Sequence, residues 1–265
     1  MRARWIVAAT AVLALAGCGS GAAPAAPATS AGIEHGPGAG VTGTVTVFAA
    51  SSLTEAFTVI GKEFEAANPG AKVTFNFAAS SALATQINQG APADVFASAA
   101  PANMKTVTDA DNATGTPVTF VRNQLVIAVP TGNPKGITGL ADLTKPGLKV
   151  ALCAEQVPCG AAAKKALAAA KVALTPATLE QDVKATLAKV KLGEVDAALV
   201  YRTDAWAAKA DVTGIEFPES AGAINDYPIV VLKSAANPAG AQAFVAYVRS
   251  ARGTAVLSGA GFQVP

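Results

Sequence analysis

The sequence predicts an α/β fold in which mainly parallel sheets are flanked by helices. Short apolar segments typical of strands alternate along the chain with segments whose apolar residues recur at helical spacing. This alternation favours parallel sheets with helices on both faces. About 225 residues remain once two unusual N-terminal segments are set aside, enough for one large or two small domains.

The first part of the folded region alternates strands and helices three times. The predicted elements are a strand at 44–48, a helix at 53–67, a strand at 72–77, a helix at 83–88, a strand at 94–96 and a helix at 101–107. The strands are either continuously apolar or alternate apolar and polar side chains. Asn68-Pro69-Gly70 ends the first long helix, and Pro101 opens the last one.

The second part continues the alternation with longer connections. The predicted elements are a strand at 124–129, a helical piece at 140–143, a strand at 148–152, helices at 161–170 and 183–190, a strand at 197–201, a helix at 203–208, a strand at 227–232 and a long helix or helix pair at 239–258. Pro130 ends the first of these strands, an alanine-rich composition marks 161–170, and Gly193 stops the helix before it.

The order of elements predicts two lobes. We place lobe I at 43–123 and 230–265 and lobe II at 124–229. In open α/β sheets, ligands bind at the carboxyl ends of the strands, beside helix N-termini. Two such units would therefore hold a ligand in the cleft between them.

The N-terminal segments predict export and anchoring. Residues 1–17 combine two arginines with a 12-residue apolar stretch too short for the roughly 20 residues that span a bilayer, which is typical of a signal peptide. The tetrapeptide LAGC resembles the bacterial lipobox, which implies acylation of Cys18; the alternative is an ordinary signal that happens to end near a cysteine. Residues 18–42, mostly Ala, Gly, Pro, Ser and Thr, predict a flexible tether.

Charge and cysteine content narrow the class of protein further. The chain has 20 Lys+Arg and 18 Asp+Glu, so removal of the signal with its two arginines leaves no net charge, and no basic run suggests nucleic acid. Cys153 and Cys159 predict a disulfide outside the cytoplasm, worth roughly 2 kcal/mol for so short a loop. Two buried free thiols are the alternative; a zinc site is disfavoured because no His lies nearby.

The residues that are missing argue against catalysis. The only His, His35, lies in the tether, which excludes a Ser-His-Asp or Cys-His arrangement in the folded part. No G-x-x-x-x-G-K-[ST] loop occurs, and the one G-x-G-x-x-G match, at residues 38–43, precedes the first predicted strand instead of following a strand. Two strand–serine–helix turns stand out instead, at Ser51-Ser52 and Ser80-Ser81. Ser52 and Glu55 also fit a capping box.

Such turns offer hydroxyls, free backbone N–H groups and the positive ends of helix dipoles, which together bind oxyanions without a basic residue. Serine is also an ordinary helix cap. Two such turns in one parallel sheet would open on the same edge, so that their donors could converge. The residues alone thus leave both an anion site and simple capping open.

Six segments in order are recognisable across residues 44–265: VTVFAASSLTEAF, FAASSALATQI, GAPADVFASA, VPCGAAAKKAL, QDVKATLAKV and ALVYRTDA. They resemble the molybdate-binding proteins of bacterial ABC importers, and the LAGC anchor and Cys pair are similar to the actinobacterial branch. The resemblance implies a two-lobed type II periplasmic-binding-protein fold, no enzymatic activity and no cofactor. It also implies an ABC permease as partner and a monomer held outside the cytoplasm by a lipid anchor.

The resemblance assigns five residues to the anion. Ser52 and Ser80 would each give a hydroxyl and an N–H from lobe I. From lobe II, Cys159 and Val183 would give N–H groups and Tyr201 its hydroxyl, so that closure of the lobes would complete the site. Molybdate would be held through these donors, with no side chain ligating the metal directly. Cys159 departs from the family, which often has Ala there.

Carboxylates should stay away from a dianion because like charges repel. Asp94, Asp182 and Glu180 are therefore expected to point elsewhere. Without the resemblance, Val183 is simply the first core residue of its helix and Tyr201 a buried tyrosine at a strand end.

An uncharged donor shell predicts selectivity for fully deprotonated anions. A protonated oxyanion would set a donor against donors, at a cost of roughly 1–3 kcal/mol. Sulfate must instead be rejected by cavity size, and tungstate should bind nearly as well as molybdate. The alternatives are a binding protein of the same fold for sulfate, phosphate or another small oxyanion, a secreted hydrolase or transferase using a serine nucleophile, and an adhesion or scaffold lipoprotein.

Overall fold

The computed structural model describes residues 40–265, which contain two five-stranded sheets. The first sheet is built from β1 Thr42–Ala50, β2 Gly70–Ala78, β3 Val95–Ala97, β4 Ala113–Asn123 and β10 Asn225–Leu232. The second is built from β5 Leu125–Pro130, β6 Val150–Cys153, β7 Thr178–Glu180, β8 Ala197–Tyr201 and β9 Val212–Ile215. The predicted signal peptide and Cys18, with nearly all of the tether, lie outside the described residues.

Helices cover the faces of both sheets. They are α1 Thr54–Ala67, α2 Ser80–Asn88, α3 Pro101–Asp109, α4 Pro158–Ala169, α5 Val183–Lys191, α6 Arg202–Ala207, α7 Pro238–Val248 and α8 Ala251–Gly259. Helices α4 to α6 pack with the second sheet, and the others pack with the first sheet or with each other. Within residues 40–265 we find no helix with the length and apolar character needed to span a bilayer.

The two sheets share one strand arrangement. Their orders are β2-β1-β3-β10-β4 and β7-β6-β8-β5-β9. In each sheet three neighbouring strands are parallel, and the fourth, β10 or β5, runs antiparallel to both of its neighbours. The predicted α/β fold with two lobes is confirmed. The alternation of elements did not predict the reversed strand. In each lobe this strand, β5 or β10, is the first one after the chain has crossed from the other lobe.

Three strands were missed by the sequence prediction: β4, β7 and β9. Strand β4 contains Gly115 and Pro117, and much of it is exposed, so it lacks the apolar pattern of a buried strand. It lies at the edge of its sheet, where proline is tolerated because one side of the strand needs no ladder hydrogen bonds. Strands β7 and β9 are also edge strands, of only three and four residues.

The chain passes between the lobes at two points. It leaves the first sheet at Asn123, the last residue of β4, and enters the second at Leu125. It returns at Asn225, before the predicted boundary at 230, because the backbone of Asn225 already pairs with that of Asn123.

The turn after β1 is held by one of the best-buried parts of lobe I. Strand β1 ends with Ala49 and Ala50 in the interior, and Phe57 and Ile60 of α1 are fully buried behind them. The rings of Phe57 and Phe244 meet edge to face at 6.0 Å between centroids. Burial of each such side chain contributes roughly 1.5–3 kcal/mol, so the turn is fixed by a stable core rather than by its own sequence.

Candidate anion site between the lobes

A small pocket lies between the two sheets, where several of their strands end. Its lining residues are Ala50, Ser51, Ser52, Ala78, Ala79, Ser80, Ala99, Val157, Pro158, Cys159, Asp182, Val183 and Tyr201. The empty volume among them is about 210 Å³ even with the adjoining open solvent included. The pocket therefore suits a ligand of a few non-hydrogen atoms.

The structure brings together all five residues that the resemblance assigns to the anion. Ser52 and Ser80 reach the pocket from lobe I, after β1 and β2. Cys159, Val183 and Tyr201 reach it from lobe II, after β6, after β7 and at the end of β8. Their contact with an anion stays a prediction.

At each of three helix N-termini beside the pocket, at least one backbone amide has no side-chain acceptor. Helices α2 and α4 lack a capping hydrogen bond, and Pro158 at the start of α4 has no N–H, so Cys159 carries the first one. Helix α5 is capped, but the Asp182 carboxylate accepts from the amides of Lys184 and Ala185, at 2.8 and 3.0 Å. The amide of Val183 is left over, as the predicted role requires.

The hydroxyl of Ser80 is set up as a donor. Its side chain is fully buried, and its Oγ accepts a hydrogen bond of 2.9 Å from the backbone N–H of Ala99. Because an amide can only donate, the oxygen of Ser80 acts as acceptor in that bond. Its own hydrogen remains for an acceptor in the pocket.

The hydroxyl of Ser52 is positioned by a tyrosine from the far end of the chain. The Ser52 Oγ lies 2.9 Å from the Tyr227 Oη, and the Asn123 Nδ2 donates to the same Oη at 3.4 Å. Either oxygen can be the donor in the Ser52–Tyr227 bond; when Tyr227 donates, the Ser52 hydrogen is left for an acceptor in the pocket. Burial raises the pKa of Tyr227 far above its usual range, so it keeps its hydrogen.

The predicted capping box at Ser52 and Glu55 is wrong. Residues Ser51–Leu53 form a 3-10 turn ahead of α1, and neither this turn nor α1 has a side-chain cap hydrogen bond at its start. The Ser52 hydroxyl is bound to Tyr227 instead, and the Glu55 carboxylate is bound to Lys184. Tertiary partners outcompete the local pairing that the sequence suggested.

Replacement of Tyr227 tests this arrangement. Tyr227→Phe keeps the ring packed against Phe262 (5.5 Å between centroids) but leaves the Ser52 hydroxyl free to rotate. We expect anion affinity to fall about fivefold, equivalent to a typical net hydrogen bond of ~1 kcal/mol, in calorimetric titration. Tyr247→Phe, at a tyrosine that bonds to Glu63 away from the pocket, is the control. An unchanged dissociation constant for Tyr227→Phe would contradict the assignment.

Tyr201 carries a buried hydroxyl with unmet hydrogen-bonding capacity. Only 1% of the residue is exposed, and its Oη has no hydrogen-bond partner among the described residues. Burial raises the pKa of Tyr201 well above its usual value, so the group remains a hydroxyl. An unsatisfied buried polar group costs roughly 1–3 kcal/mol, which an acceptor in the pocket would recover.

The cysteine segment is held by a close backbone approach. Cys153 and Cys159 are joined by a disulfide with Cα atoms 5.7 Å apart. At the next residue, Gly160, an added Cβ would lie 1.9 Å from the carbonyl oxygen of Ala154. Only glycine permits α4 to begin this close to the loop, and this approach sets the position of the Cys159 amide.

The carboxylates of Asp94 and Asp182 accept hydrogen bonds from backbone amides. The Asp94 carboxylate accepts from the amides of Thr46 and Asn237, at 2.7 and 2.9 Å, and does not line the pocket. Asp182 is among the lining residues of the pocket, and its carboxylate accepts from the amides of Lys184 and Ala185 at the start of α5. None of the lining residues is Lys, Arg or His, and residues 40–265 hold no cluster of three or more metal-binding side chains.

Sequence reasoning missed the residues that position the donors, namely Tyr227, Asn123, Ala99 and Gly160. The glycine could have been suspected from its place directly after Cys159. Nothing local marks the others, because Tyr227 is 175 positions from Ser52 and Ala99 is 19 from Ser80.

Two α/β lobes with a small pocket between them are typical of solute-binding proteins. Residues 45–263 match the family model described as "Bacterial extracellular solute-binding protein". The chain belongs to this family.

The chain is similar in sequence or in structure to several characterised proteins. The chain is 46% identical over 268 residues to "Molybdate-binding protein ModA" of Mycobacterium tuberculosis (strain ATCC 25618 / H37Rv), covering 99% of this chain and 100% of that protein. The periplasmic molybdate-binding protein of Azotobacter vinelandii has a similar structure (TM-score 0.70, 20% identity, 83% of this chain and 99% of that one). So does the sulfate-binding protein SubI of Mycobacterium tuberculosis H37Rv (TM-score 0.71, 19% identity, 83% and 86%). These two structures show the fold alone.

Proposed function

We propose that this protein binds molybdate, and tungstate nearly as well, outside the cytoplasm and delivers it to the permease of an ABC importer. One observation carries the proposal: the inter-lobe pocket is lined by uncharged hydroxyls and helix-start amides that can donate hydrogen bonds, with no Lys, Arg or His among its lining residues. The 46% identical relative named as a molybdate-binding protein supports it. We infer no catalysis, because the pocket pairs its serines with no histidine, and its one carboxylate is bound to helix amides.

The orientation of the hydroxyls explains selectivity for a dianion. The Ser80 oxygen accepts from the Ala99 amide, so the Ser80 hydrogen is free for a ligand; the Ser52 hydroxyl offers its hydrogen to a ligand when Tyr227 is the donor in their shared bond. The Tyr201 hydroxyl and the amides of Cys159 and Val183 add further donors. A fully deprotonated tetrahedral anion accepts from every direction, whereas a protonated one would set a donor against these donors.

Donors without a formal charge suffice for such an anion. Hydrogen bonds to an ionised acceptor are roughly twice as strong as those between neutral groups. Helix N-termini add partial positive charge at α2, α4 and α5. Sulfate meets the same hydrogen-bonding demands, so discrimination against it rests on the size of the cavity.

The proposal also covers the attachment of the protein to the membrane and the residue boundaries of the two lobes. We propose that Cys18 is lipidated after removal of residues 1–17, and that residues 18–42 tether the domain to the membrane. Lobe I would comprise 43–123 and 230–265, and lobe II 124–229, adjusted so that β10 from Asn225 belongs to lobe I. The protein would act as a monomer, with Cys153 and Cys159 oxidised outside the cytoplasm.

Calorimetric titration of residues 41–265 with molybdate, tungstate, sulfate and phosphate tests the ligand. We expect tight one-to-one binding of molybdate and tungstate and none of sulfate or phosphate. Binding of sulfate or phosphate alone would keep the fold and overturn the ligand. Heat from none of the four anions would overturn oxyanion binding altogether.

A further inference from the structure

A charged cluster formed by Lys184, Glu55 and Asp204 lies beside the anion pocket but does not line it. The Lys184 Nζ is 2.8 Å from both carboxylate oxygens of Glu55 and 2.9 Å from the Asp204 Oδ1. The three residues share a separate cavity of about 600 Å³ with parts of α5 and α6. The cluster therefore acts outside the ligand's contact shell.

The cluster joins the two lobes. Glu55 belongs to α1 of lobe I, whereas Lys184 belongs to α5 and Asp204 to α6 of lobe II. Every other ion pair found among residues 40–265 joins two groups of the same lobe. Contact between Lys184 and Glu55 thus depends on how the lobes are arranged.

Each member of the cluster sits close in sequence to a predicted anion-binding residue. Lys184 follows Val183 directly, Glu55 lies three positions after Ser52, and Asp204 lies three positions after Tyr201. Because short elements move as rigid pieces, bringing Glu55 to Lys184 also brings the turn of Ser52 to the start of α5.

Burial makes the cluster more than a surface ion pair. The side chain of Asp204 is fully buried and that of Lys184 is 27% exposed, whereas that of Glu55 is 52% exposed. Burial raises the pKa of Asp204 to about 6, against the opposing effect of Lys184. For Lys184, burial lowers the pKa, but Asp204 and Glu55 outweigh it and the net pKa is raised. Lys184 thus stays charged, forms an ion pair with Asp204 and donates to both carboxylate oxygens of Glu55.

We propose that Lys184, anchored on Asp204, is a latch that binds Glu55 when the lobes close and so slows release of the anion. Lys184 and Glu55 are positioning residues, since neither lines the pocket. The ion pair exists only in the closed arrangement, so it lowers the dissociation rate and leaves the association rate nearly unchanged. The latch rests on the proposed function for its role in anion release, but the pair itself needs no ligand.

Glu55→Gln in the full chain is the variant of choice. It removes the charge from the half-exposed partner and keeps the Asp204–Lys184 pair, whereas replacing Lys184 would leave the Asp204 carboxylate buried without a counter-charge and would confound folding with closure. Glu63→Gln is the matched control, being the same substitution on the same helix at a residue whose partner, Arg252, lies in the same lobe.

Stopped-flow fluorescence gives the two rates with molybdate. Trp206, 56% exposed, lines a groove together with Glu55 and Val59 of the other lobe and reports closure. We expect Glu55→Gln to raise the dissociation rate about two- to fivefold, the range of a partly exposed ion pair, with an unchanged association rate. The difference from the unaltered chain should vanish at about 1 M NaCl, where the screening length is ~3 Å.

Equal dissociation rates for Glu55→Gln and the unaltered chain, or the same increase in Glu63→Gln, would overturn the latch. If the unaltered chain binds neither molybdate nor tungstate, the proposed function fails, and small-angle X-ray scattering of the ligand-free chains decides the latch separately. A larger radius of gyration for Glu55→Gln than for Glu63→Gln supports it, and equal radii overturn it.

Discussion

Gly160→Ala is expected to abolish tight anion binding and to destabilise the protein. The added Cβ would lie 1.9 Å from the carbonyl oxygen of Ala154 and 2.7 Å from that of Cys153, so backbone must move. Overpacking of this kind costs about 2–4 kcal/mol in the free energy of unfolding. Displacement of the Cys159 amide adds the loss of a hydrogen bond to a charged ligand, about 1.5–3 kcal/mol, which lowers affinity at least tenfold. Denaturant unfolding and calorimetric titration measure the two effects.

Gly222→Ala is the control for that experiment. Gly222 lies in the same lobe, and an added Cβ there meets no atom within 4 Å. It should leave both stability and affinity nearly unchanged. If Gly160→Ala behaved like Gly222→Ala, the close approach of α4 to the loop after β6 would not be what positions the Cys159 amide.

Ser80→Ala is expected to lower molybdate affinity about ten- to 100-fold. The substitution removes a buried hydroxyl that would donate to the dianion under the proposed function, and hydrogen bonds to charged groups contribute about 1.5–3 kcal/mol. It also leaves the amide of Ala99 without the acceptor that Ser80 provides, so the free energy of unfolding should fall by about 1–3 kcal/mol. Titration with molybdate and chemical unfolding of the same preparation separate loss of affinity from loss of structure.

The neighbouring serine supplies the comparison for that variant. Ser81 is partly exposed and does not line the pocket, so Ser81→Ala should bind molybdate like the unaltered protein. If neither variant lost affinity, the serine turn after β2 would be only a helix start. A loss shared by both would point to the turn's backbone rather than to the Ser80 hydroxyl.

The two lobes would contribute different hydrogen-bond donors to the anion. In lobe I the Ser80 hydroxyl is bound to the Ala99 amide and the Ser52 hydroxyl to Tyr227, so the partners that hold both predicted donors belong to the same lobe. Lobe II contributes a buried hydroxyl at Tyr201 that lacks a partner among the described residues. An anion bound by both lobes would accept a hydrogen bond from the Tyr201 hydroxyl. This hydrogen bond would favour closure of the lobes, and the distances between donors and anion would change with the size of the anion.

Much of the fold was readable in the sequence because it depends on local pattern. The strand predicted at 197–201 is β8 as observed, and the helix predicted at 183–190 is α5 to within one residue. Both are apolar or amphipathic segments with clear ends, so neighbouring residues define them. Strand β4 was missed because an exposed edge strand containing Gly115 and Pro117 has no such pattern and is specified by its pairing with β10.

The sequence by itself determined the alternation of strands and helices, the two serine turns and the absence of a histidine that could support catalysis. Only the tertiary structure decided what those turns do: Ser52 gives up a local cap for Tyr227, and Glu55 turns to Lys184, 129 positions away. The physical reason is the range of the interactions. Helix and strand periodicity arises from neighbours along the chain, whereas the direction of a hydroxyl hydrogen and the partner of a buried charge depend on groups that meet only after the sheets have formed.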